Sequence, residues 1–442
     1  MEKIVQIIKS QKVDKASLLI LLIFSALGYT LVYIGYIYSY LKILLGITGL
    51  LLVYMIFRKP VIGVYLILFF LFNGIQRVSI LAKFHPTISL GFFTFSGFLI
   101  LILYSKIKIH IGEAEIFILL FGLSAAISVI FARNFQLALR GFIEFLLAVA
   151  FYFLIKHFVT SHNELIDSIK IISFSIFIGA FVNIVYLYIS GNLFAVFRLG
   201  GIYGRMGSFG YDPNYWAILL NLGIVLTYYL YRNANKLGFK LLYIIFIATF
   251  ISSLLLTYSR AGLLTFFVIF SIIVFKRAKW SGILILVLSL TIAVFMIIYL
   301  PFFGRFKTIL LAATRGVSDP SLRDRINILK LAFKLLSRNP IFGIGLDNFR
   351  EFSTIVSNIG KRVHNTYLEI LIDAGIVGFI FYIVIFIKVL TRKVTIYIEE
   401  ANFLKLGLIV FLIESLTLSI PFFAPMWAIL GLLECKAFMK IS

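Results

Sequence analysis

The stretch that decides the fold runs from Leu241 to Phe275, LLYIIFIATFISSLLLTYSRAGLLTFFVIFSIIVF, and its only charged residue is Arg260. The apolar runs that meet at this arginine, 240–257 and 261–276, approach the roughly 20 residues that a transmembrane helix requires. A surface helix of a soluble protein needs a polar face toward water, and neither run has one. The stretch predicts two membrane-spanning helices joined by a tight turn.

The same pattern continues through most of the 442 residues, of which 62% are hydrophobic and 13% charged. Soluble domains are typically about 45–50% apolar and about 25% charged. Apolar runs between polar or Gly/Pro breaks predict spans near 17–36, 41–57, 61–76, 87–104, 113–131, 140–158, 168–190, 213–231, 240–257, 261–276, 280–300, 367–389, 402–419 and 422–438. Because the first four runs could be two spans plus interfacial pieces, we predict an all-α polytopic membrane helical bundle with 12–14 transmembrane helices.

The distribution of Lys and Arg over the short connections predicts the orientation. If the amino terminus is cytoplasmic, the short connections on that side, which include Lys156, hold more than twice as many Lys and Arg as the short outer connections. The positive-inside rule then places both termini in the cytoplasm. Three regions follow: transmembrane helices with short loops over 1–300, a large outer loop over 301–366, and C-terminal transmembrane helices over 367–442.

The large outer loop carries eleven Lys and Arg against four acidic residues. Long loops escape the positive-inside rule, so its length alone could explain this charge; an anionic ligand at the outer face is the functional alternative. Ser321 and Asp324 resemble a capping box. One apolar face is predicted for the helix that follows, made of Leu322, Ile326, Leu329, Phe333 and Leu336. Such a basic amphipathic helix would lie on the membrane surface or cap a cavity.

Two outer arginines are candidates for binding phosphate, because the planar guanidinium suits bidentate contact with phosphate oxygens. Arg260 lies at the turn YSRAG (258–262), where a charge between two spans is costly and usually functional. The alternative is an arginine that snorkels to the headgroups. Arg205 lies in a loop with four glycines over 201–210, just before Pro213, a residue favoured in a first helical turn.

His364 is the best candidate for a general base on the outer side, where only one other histidine is predicted. It ends the basic loop and precedes the next span; the alternative is a histidine at a helix start with no chemical role. Glu369 and Asp373 follow at helical spacing and could orient His364 or an arginine of the basic loop. The sequence has no metal-binding constellation, so we expect neither a metal nor another cofactor.

These residues resemble a family, the O-antigen ligase and polymerase superfamily of bacterial envelope proteins. NPIFGIGLDNF (339–349) is similar to its Pro-x-x-Gly-x-Gly signature, and His364-Asn365 followed after nine residues by GIVG (375–378) is similar to the ligase pattern. Three more elements occur in the family's order: the Ser259-Arg260-Ala261 turn, the Arg205 loop leading into Pro213-Asn214, and Arg323 or Arg325 in SLRDR (321–325).

The resemblance implies an inverting, metal-independent glycosyltransferase on the periplasmic face of the bacterial inner membrane. It would move a glycan from undecaprenyl diphosphate to a sugar hydroxyl. The implied roles are diphosphate binding for Arg205, Arg260 and Arg323 or Arg325, and deprotonation of the acceptor for His364, with Asn365, Glu369 and Asp373 supporting it.

Three functions stay open at this point. The ligase would use lipid A-core as acceptor, and the His-to-Gly spacing favours it. The polymerase would use a second lipid-linked repeat unit with nearly the same residues. A flippase or transporter would pass an anionic headgroup along the arginines, but the large loop near two-thirds of the chain has no counterpart in the first third, as internal repeats would require.

Overall fold

A computed structural model describes residues 51, 54–56, 58–74, 111–192, 205–207, 212–278, 287, 291, 320–357, 360 and 362–438; for 276–278, 320–326 and 355–357 it describes the backbone only. Every regular element in these ranges is helical. The helices are α1 Pro60–Phe72, α2 Glu113–Ile130, α3 Phe135–Phe158, α4 His162–Ile189, α5 Pro213–Arg232, α6 Leu237–Thr257, α7 Arg260–Ala278, α8 Pro320–Arg338, α9 Phe349–Ser357, α10 Thr366–Asp373, α11 Gly375–Thr391, α12 Ile398–Glu414 and α13 Ala424–Leu433, then a 3₁₀ turn at Lys436–Phe438.

This architecture confirms the predicted all-α polytopic bundle. Within the described residues, α2, α3, α4 and α6 are long and apolar enough to cross a membrane, and α1, α11 and the first part of α7 are shorter apolar helices. The total of 12–14 spans stays a prediction, because the spans near 17–36, 41–57, 87–104 and 280–300 fall wholly or largely outside the described residues.

Helix α5 is the centre of the bundle and packs against α4, α6, α7 and α12. Nearly every residue from Trp216 to Leu230 is buried, so this helix is surrounded by protein rather than by lipid. Helices α5 and α6 run in opposite directions, because Arg205 contacts both Asn214 at the start of α5 and Thr257 at the end of α6. The helix ends lie at two opposite ends of the bundle. We call these the His364 end, which also holds Arg205, and the His162 end, where the imidazole of His162 lies 2.9 Å from the Glu400 carboxylate.

Helices α3 and α4 begin several residues before the predicted spans 140–158 and 168–190. The Asn134 side chain caps α3 by accepting from the backbone N–H of Leu137. Ser161 and Glu164 form a capping box at the start of α4. Hydropathy locates the apolar centre of a helix but misses a polar first turn. The carboxyl-terminal ends of α1 and α12, at Phe72 and Glu414, come earlier than those of the predicted spans 61–76 and 402–419.

The single span predicted over 367–389 is wrong, because two helices, α10 and α11, meet there at Gly375. Gly375 has a φ of 70°, in the left-handed region. The segment 340–345 docks backbone to backbone at this break: Gly345 N–H donates to the Asp373 carbonyl at 2.9 Å, and Ile376 N–H donates to the Pro340 carbonyl at 2.9 Å. The two glycine motifs thus meet in space.

We expect Gly375→Ala to destabilise the protein. A Cβ at this position would overlap the carbonyl oxygen of Ile341, and the left-handed backbone adds about 1–2 kcal/mol for a residue with a side chain. The matched control is Gly238→Ala, because a Cβ there meets open space at the start of α6. Thermal unfolding in detergent should show a lower Tm for Gly375→Ala alone, and equal Tm values for the two variants would contradict this account.

Helix α8 packs against the rest of the protein mainly through a stripe other than the predicted apolar face, of which Leu336 is partly buried. Its buried residues are Ile328, Ala332 and Leu335, which pack with Ile344, Phe349, Val363 and Ile372. Leu329 and Phe333 are 40% and 61% exposed. The sequence offers two apolar stripes on this helix, and only contacts distant in sequence select the one that faces α10. The side chains of the predicted Ser321–Asp324 capping box lie outside the described residues.

Candidate active site

A polar cavity of about 400 Å³ opens at the His364 end. It lies between the start of α3, the start of α5, the segment 346–350, helix α10 and the turn that joins α12 to α13. The lining residues are Arg140, Gly141, Glu144, Asp212, Tyr215, Leu346, Asp347, Arg350, Arg362, Glu369, Ile370, Asp373, Ser419, Ile420, Pro421, Phe422, Phe423 and Ala424. Five carboxylates and three guanidinium groups therefore surround one space.

Arg362 is the cation at the centre of these carboxylates. Its Nη2 lies 3.3 Å from Asp347 Oδ1 and 3.8 Å from Glu144 Oε2, and its Nη1 lies 3.8 Å from Glu369 Oε1. Burial alone would lower the pKa of Arg362, but the carboxylates of Glu369 and Asp347 outweigh it and raise the pKa above its ordinary value. Arg362 is thus a permanent positive charge in the cavity wall.

Asp347 and Asp373 fix the segment 346–350 against α10. The backbone N–H of Asp347 donates to Asp373 Oδ2 at 2.8 Å, and Asp347 has a φ of 57°. The next residue, Asn348, exchanges hydrogen bonds with the backbone of Asn134 at 2.9 and 3.0 Å. The family-like segment 339–349 therefore builds one wall of the cavity and holds it against the α2–α3 connection.

His364 is exposed and stands two residues before α10, next to Ser419 of the cavity wall. Its backbone has a φ of 58°, and its N–H donates to Ser419 Oγ at 3.1 Å. Asn365 caps α10 by accepting from the N–H of Leu368 at 2.9 Å and donates to the Leu416 carbonyl at 3.1 Å. The His-Asn pair is therefore held from both sides by the α12–α13 turn.

Arg205 is held at a second junction, where α5, α6 and α7 meet. Its Nε donates to the Thr257 carbonyl and its Nη2 to Asn214 Oδ1, both at 2.8 Å. Ser259 Oγ also donates to Asn214 Oδ1, at 3.0 Å. Arg260 follows directly as the first residue of α7 and is half-buried.

One segment connects this arginine junction to His364. Asn214, which holds Arg205, is followed by Tyr215, whose hydroxyl donates to the Ser419 carbonyl at 2.9 Å. Ser419 in turn accepts from the backbone of His364. The structure thus brings Arg205, Arg260 and His364 to one end of the bundle, with Glu369 and Asp373 in the cavity between the helices. Arg323 and Arg325 belong to the first turns of α8, and their side chains lie outside the described residues.

Sequence reasoning missed several residues of this cavity. Arg362, Asp347 and Arg350 are not singled out by any pattern, since the basic loop alone offers eleven candidate cations. Glu369 pairs with Arg362. Proximity to His364 in the chain is the one signal that could have favoured Arg362.

Fold and site together define a multi-pass membrane protein with a polar cavity and anchored arginines at one end of its helical bundle. Residues 244–383, about a third of the chain, match the model of a protein family described as O-antigen ligase. This match supports the resemblance to the O-antigen ligase superfamily over that part of the chain, and it favours a membrane enzyme of the glycosyl-transfer kind. The matched range includes Arg260 and His364, whereas Arg205 precedes it. No curated protein matches the chain.

Proposed function

We propose that the protein is an O-antigen ligase-type glycosyltransferase that moves a glycan from undecaprenyl diphosphate to a sugar hydroxyl of lipid A-core. In this proposal the bundle lies in the bacterial inner membrane with both termini in the cytoplasm, and the His364 end faces the periplasm. The observation that supports it best is the short path of contacts from Arg205 through Asn214, Tyr215 and Ser419 to His364. These contacts hold Arg205, which would bind the leaving group, and His364, which would be the base, in fixed positions relative to each other.

The arginines would bind the diphosphate of the donor. As the bond between the anomeric carbon and the phosphate oxygen breaks, negative charge develops on the diphosphate, and fixed guanidinium groups stabilise that charge without reorganising. The two hydrogen bonds that orient Arg205 provide such fixation. Arg260 and, on α8, Arg323 and Arg325 would add further positive charge without a metal ion.

His364 would accept the proton of the acceptor hydroxyl while that oxygen attacks the anomeric carbon from the side opposite the diphosphate. The new bond joins the acceptor oxygen to the anomeric carbon, and the configuration there inverts. His364 has a left-handed backbone although it is not glycine. Strain of this kind costs about 1–3 kcal/mol and is concentrated at functional sites. Asn365 would support the base by fixing the start of α10.

The test is a transfer assay in liposomes with a lipid-linked glycan donor, purified lipid A-core and a chelator. Wild type should form product, and Arg205→Ala should lower the rate by about 10²–10³-fold, the usual loss when one stabilising donor is removed from a transition state. Arg58→Ala is the control, because Arg58 is exposed at the His162 end. Growth of lipid-linked chains without lipid A-core would indicate a polymerase, and lipid movement without any glycan product would indicate a flippase.

A further inference from the structure

The cavity contains buried polar atoms that have no partner within the protein. Glu369 and Asp373 are 3% and 2% exposed, yet Oε2 of Glu369 and Oδ1 of Asp373 accept no hydrogen bond, and Nε of Arg362 makes none. A buried polar atom without a partner costs about 1–3 kcal/mol. These atoms belong to residues that line one space, which suits a ligand that supplies both donors and acceptors.

The charges of the cavity argue against a phosphate as that ligand. Each of its three arginines already faces a carboxylate: Arg140 lies 3.5 Å from Glu144, and Arg350 lies 3.0 Å from Asp347. Arg362 lies among three carboxylates, as described above. Because each of these three guanidinium groups already has a facing carboxylate, the cavity offers a diphosphate no uncompensated positive charge. Arg205 and Arg260, the proposed diphosphate ligands, are not among the residues that line this cavity.

The chemistry of the walls fits an uncharged sugar ring. Each hydroxyl of a sugar can donate to a carboxylate and accept from a guanidinium, and the cavity presents both groups. Tyr215, Phe422 and Phe423 supply aromatic surface for the apolar C–H face of the ring. The volume of about 400 Å³ lies within the range of about 300–1,000 Å³ that is usual for small-ligand pockets.

We infer that this cavity is a carbohydrate subsite, which binds a neutral pyranose through the carboxylates of Glu369 and Asp373 and the guanidinium of Arg362. The inference rests on the proposed function only for the origin of the sugar, which is either the acceptor or the reducing-end residue of the donor glycan. Ser419 and Tyr215 belong both to the cavity wall and to the contacts that join Arg205 to His364. A sugar bound here would therefore lie beside the reacting groups.

The experiment uses the full-length protein in lipid nanodiscs and measures the binding of free sugars by saturation-transfer NMR. The probes are methyl glucoside and N-acetylglucosamine as neutral sugars, and glucose 1-phosphate as the charged one. We expect the neutral sugars to bind more tightly than the phosphate. Asp373→Asn should weaken their binding about tenfold or more, because it replaces a carboxyl group that has an unpartnered oxygen with an amide.

Glu414→Gln is the matched control, since Glu414 is a fully buried carboxylate that does not line the cavity. Three results would overturn the inference: glucose 1-phosphate binding as well as the neutral sugars, equal losses in both variants, or sugar binding that disappears with a chelator. Transfer activity without sugar binding would overturn the inference and leave the proposed function standing. Sugar binding without transfer activity would contradict the proposed function and leave the inference standing.

The origin of the sugar follows from competition in the transfer assay. A free neutral sugar that competes with lipid A-core assigns the cavity to the acceptor. A free neutral sugar that competes with the lipid-linked donor would show that the cavity binds the donor glycan. A sugar that binds Asp373→Asn as tightly as wild type and inhibits both proteins equally would place the bound sugar elsewhere and contradict the inference.

Discussion

Replacement of His364 by asparagine is expected to lower the rate of glycan transfer by about 10²–10⁴-fold, the usual contribution of a general base. Asparagine is the informative substitution because His364 has a φ of 58°, and asparagine tolerates the left-handed region better than most residues. The variant therefore keeps the backbone that precedes α10 and the N–H that donates to Ser419. A loss of rate would then report the missing imidazole rather than a displaced helix.

The pH dependence separates a chemical role of His364 from a structural one. A general base must be unprotonated, so the wild-type rate should fall at acidic pH within the range of about pH 5–8 where imidazoles usually titrate. The residual rate of His364→Asn should not show this fall at acidic pH. The control is His162→Asn at the opposite end of the bundle, whose rate should stay within a few-fold of wild type. If the rate of His364→Asn falls at acidic pH in the same way as that of wild type, His364 is not the base.

The fold was largely predictable because hydrophobic runs in a membrane protein are long and distinct. Their limits were less predictable, since a polar first turn such as that of α4, capped by Ser161, looks like a loop in a hydropathy profile. The break at Gly375 was missed for a different reason. It depends on the docking of residues 340–345, whose backbone satisfies the N–H of Ile376, and no local pattern contains that contact.

The site was predictable where chemistry restricts the choice of residue. His364 stands out because histidines are few on the predicted outer side, and Arg260 because it is the one charge between two apolar runs. Arg362 was not predictable: it is one of eleven basic residues in its loop, and only the folded chain places it among the carboxylates of Glu144, Asp347 and Glu369. Gly345 of the first family-like motif and Gly375 of the second lie where the backbones of the two motifs meet. This backbone contact places Asp373 beside the segment 346–350.

The second large effect is expected at the His162 end, where Lys156→Met should lower the free energy of unfolding by about 3–5 kcal/mol. Lys156, counted with the cytoplasmic connections in the sequence, is instead buried within α3: its side chain is 1% exposed, that of Glu115 is fully buried, and Nζ lies 2.5 Å from Glu115 Oε1. The Tyr152 hydroxyl donates to the same oxygen. Removing the lysine leaves a buried carboxylate without its cation, and that loss is the reason for the large effect.

A double variant shows whether charge pairing is the cause. Glu115→Gln combined with Lys156→Met should recover most of the lost stability, because neutral replacements of a buried pair cost far less than a lone buried charge. Lys170→Met is the control: Lys170 pairs with Asp167 at the surface of α4, where such pairs contribute about 0–1 kcal/mol. Denaturant unfolding in micelles measures all of these variants. If Lys156→Met unfolds like Lys170→Met, or if the double variant is less stable than Lys156→Met alone, this ion pair does not hold α2 against α3.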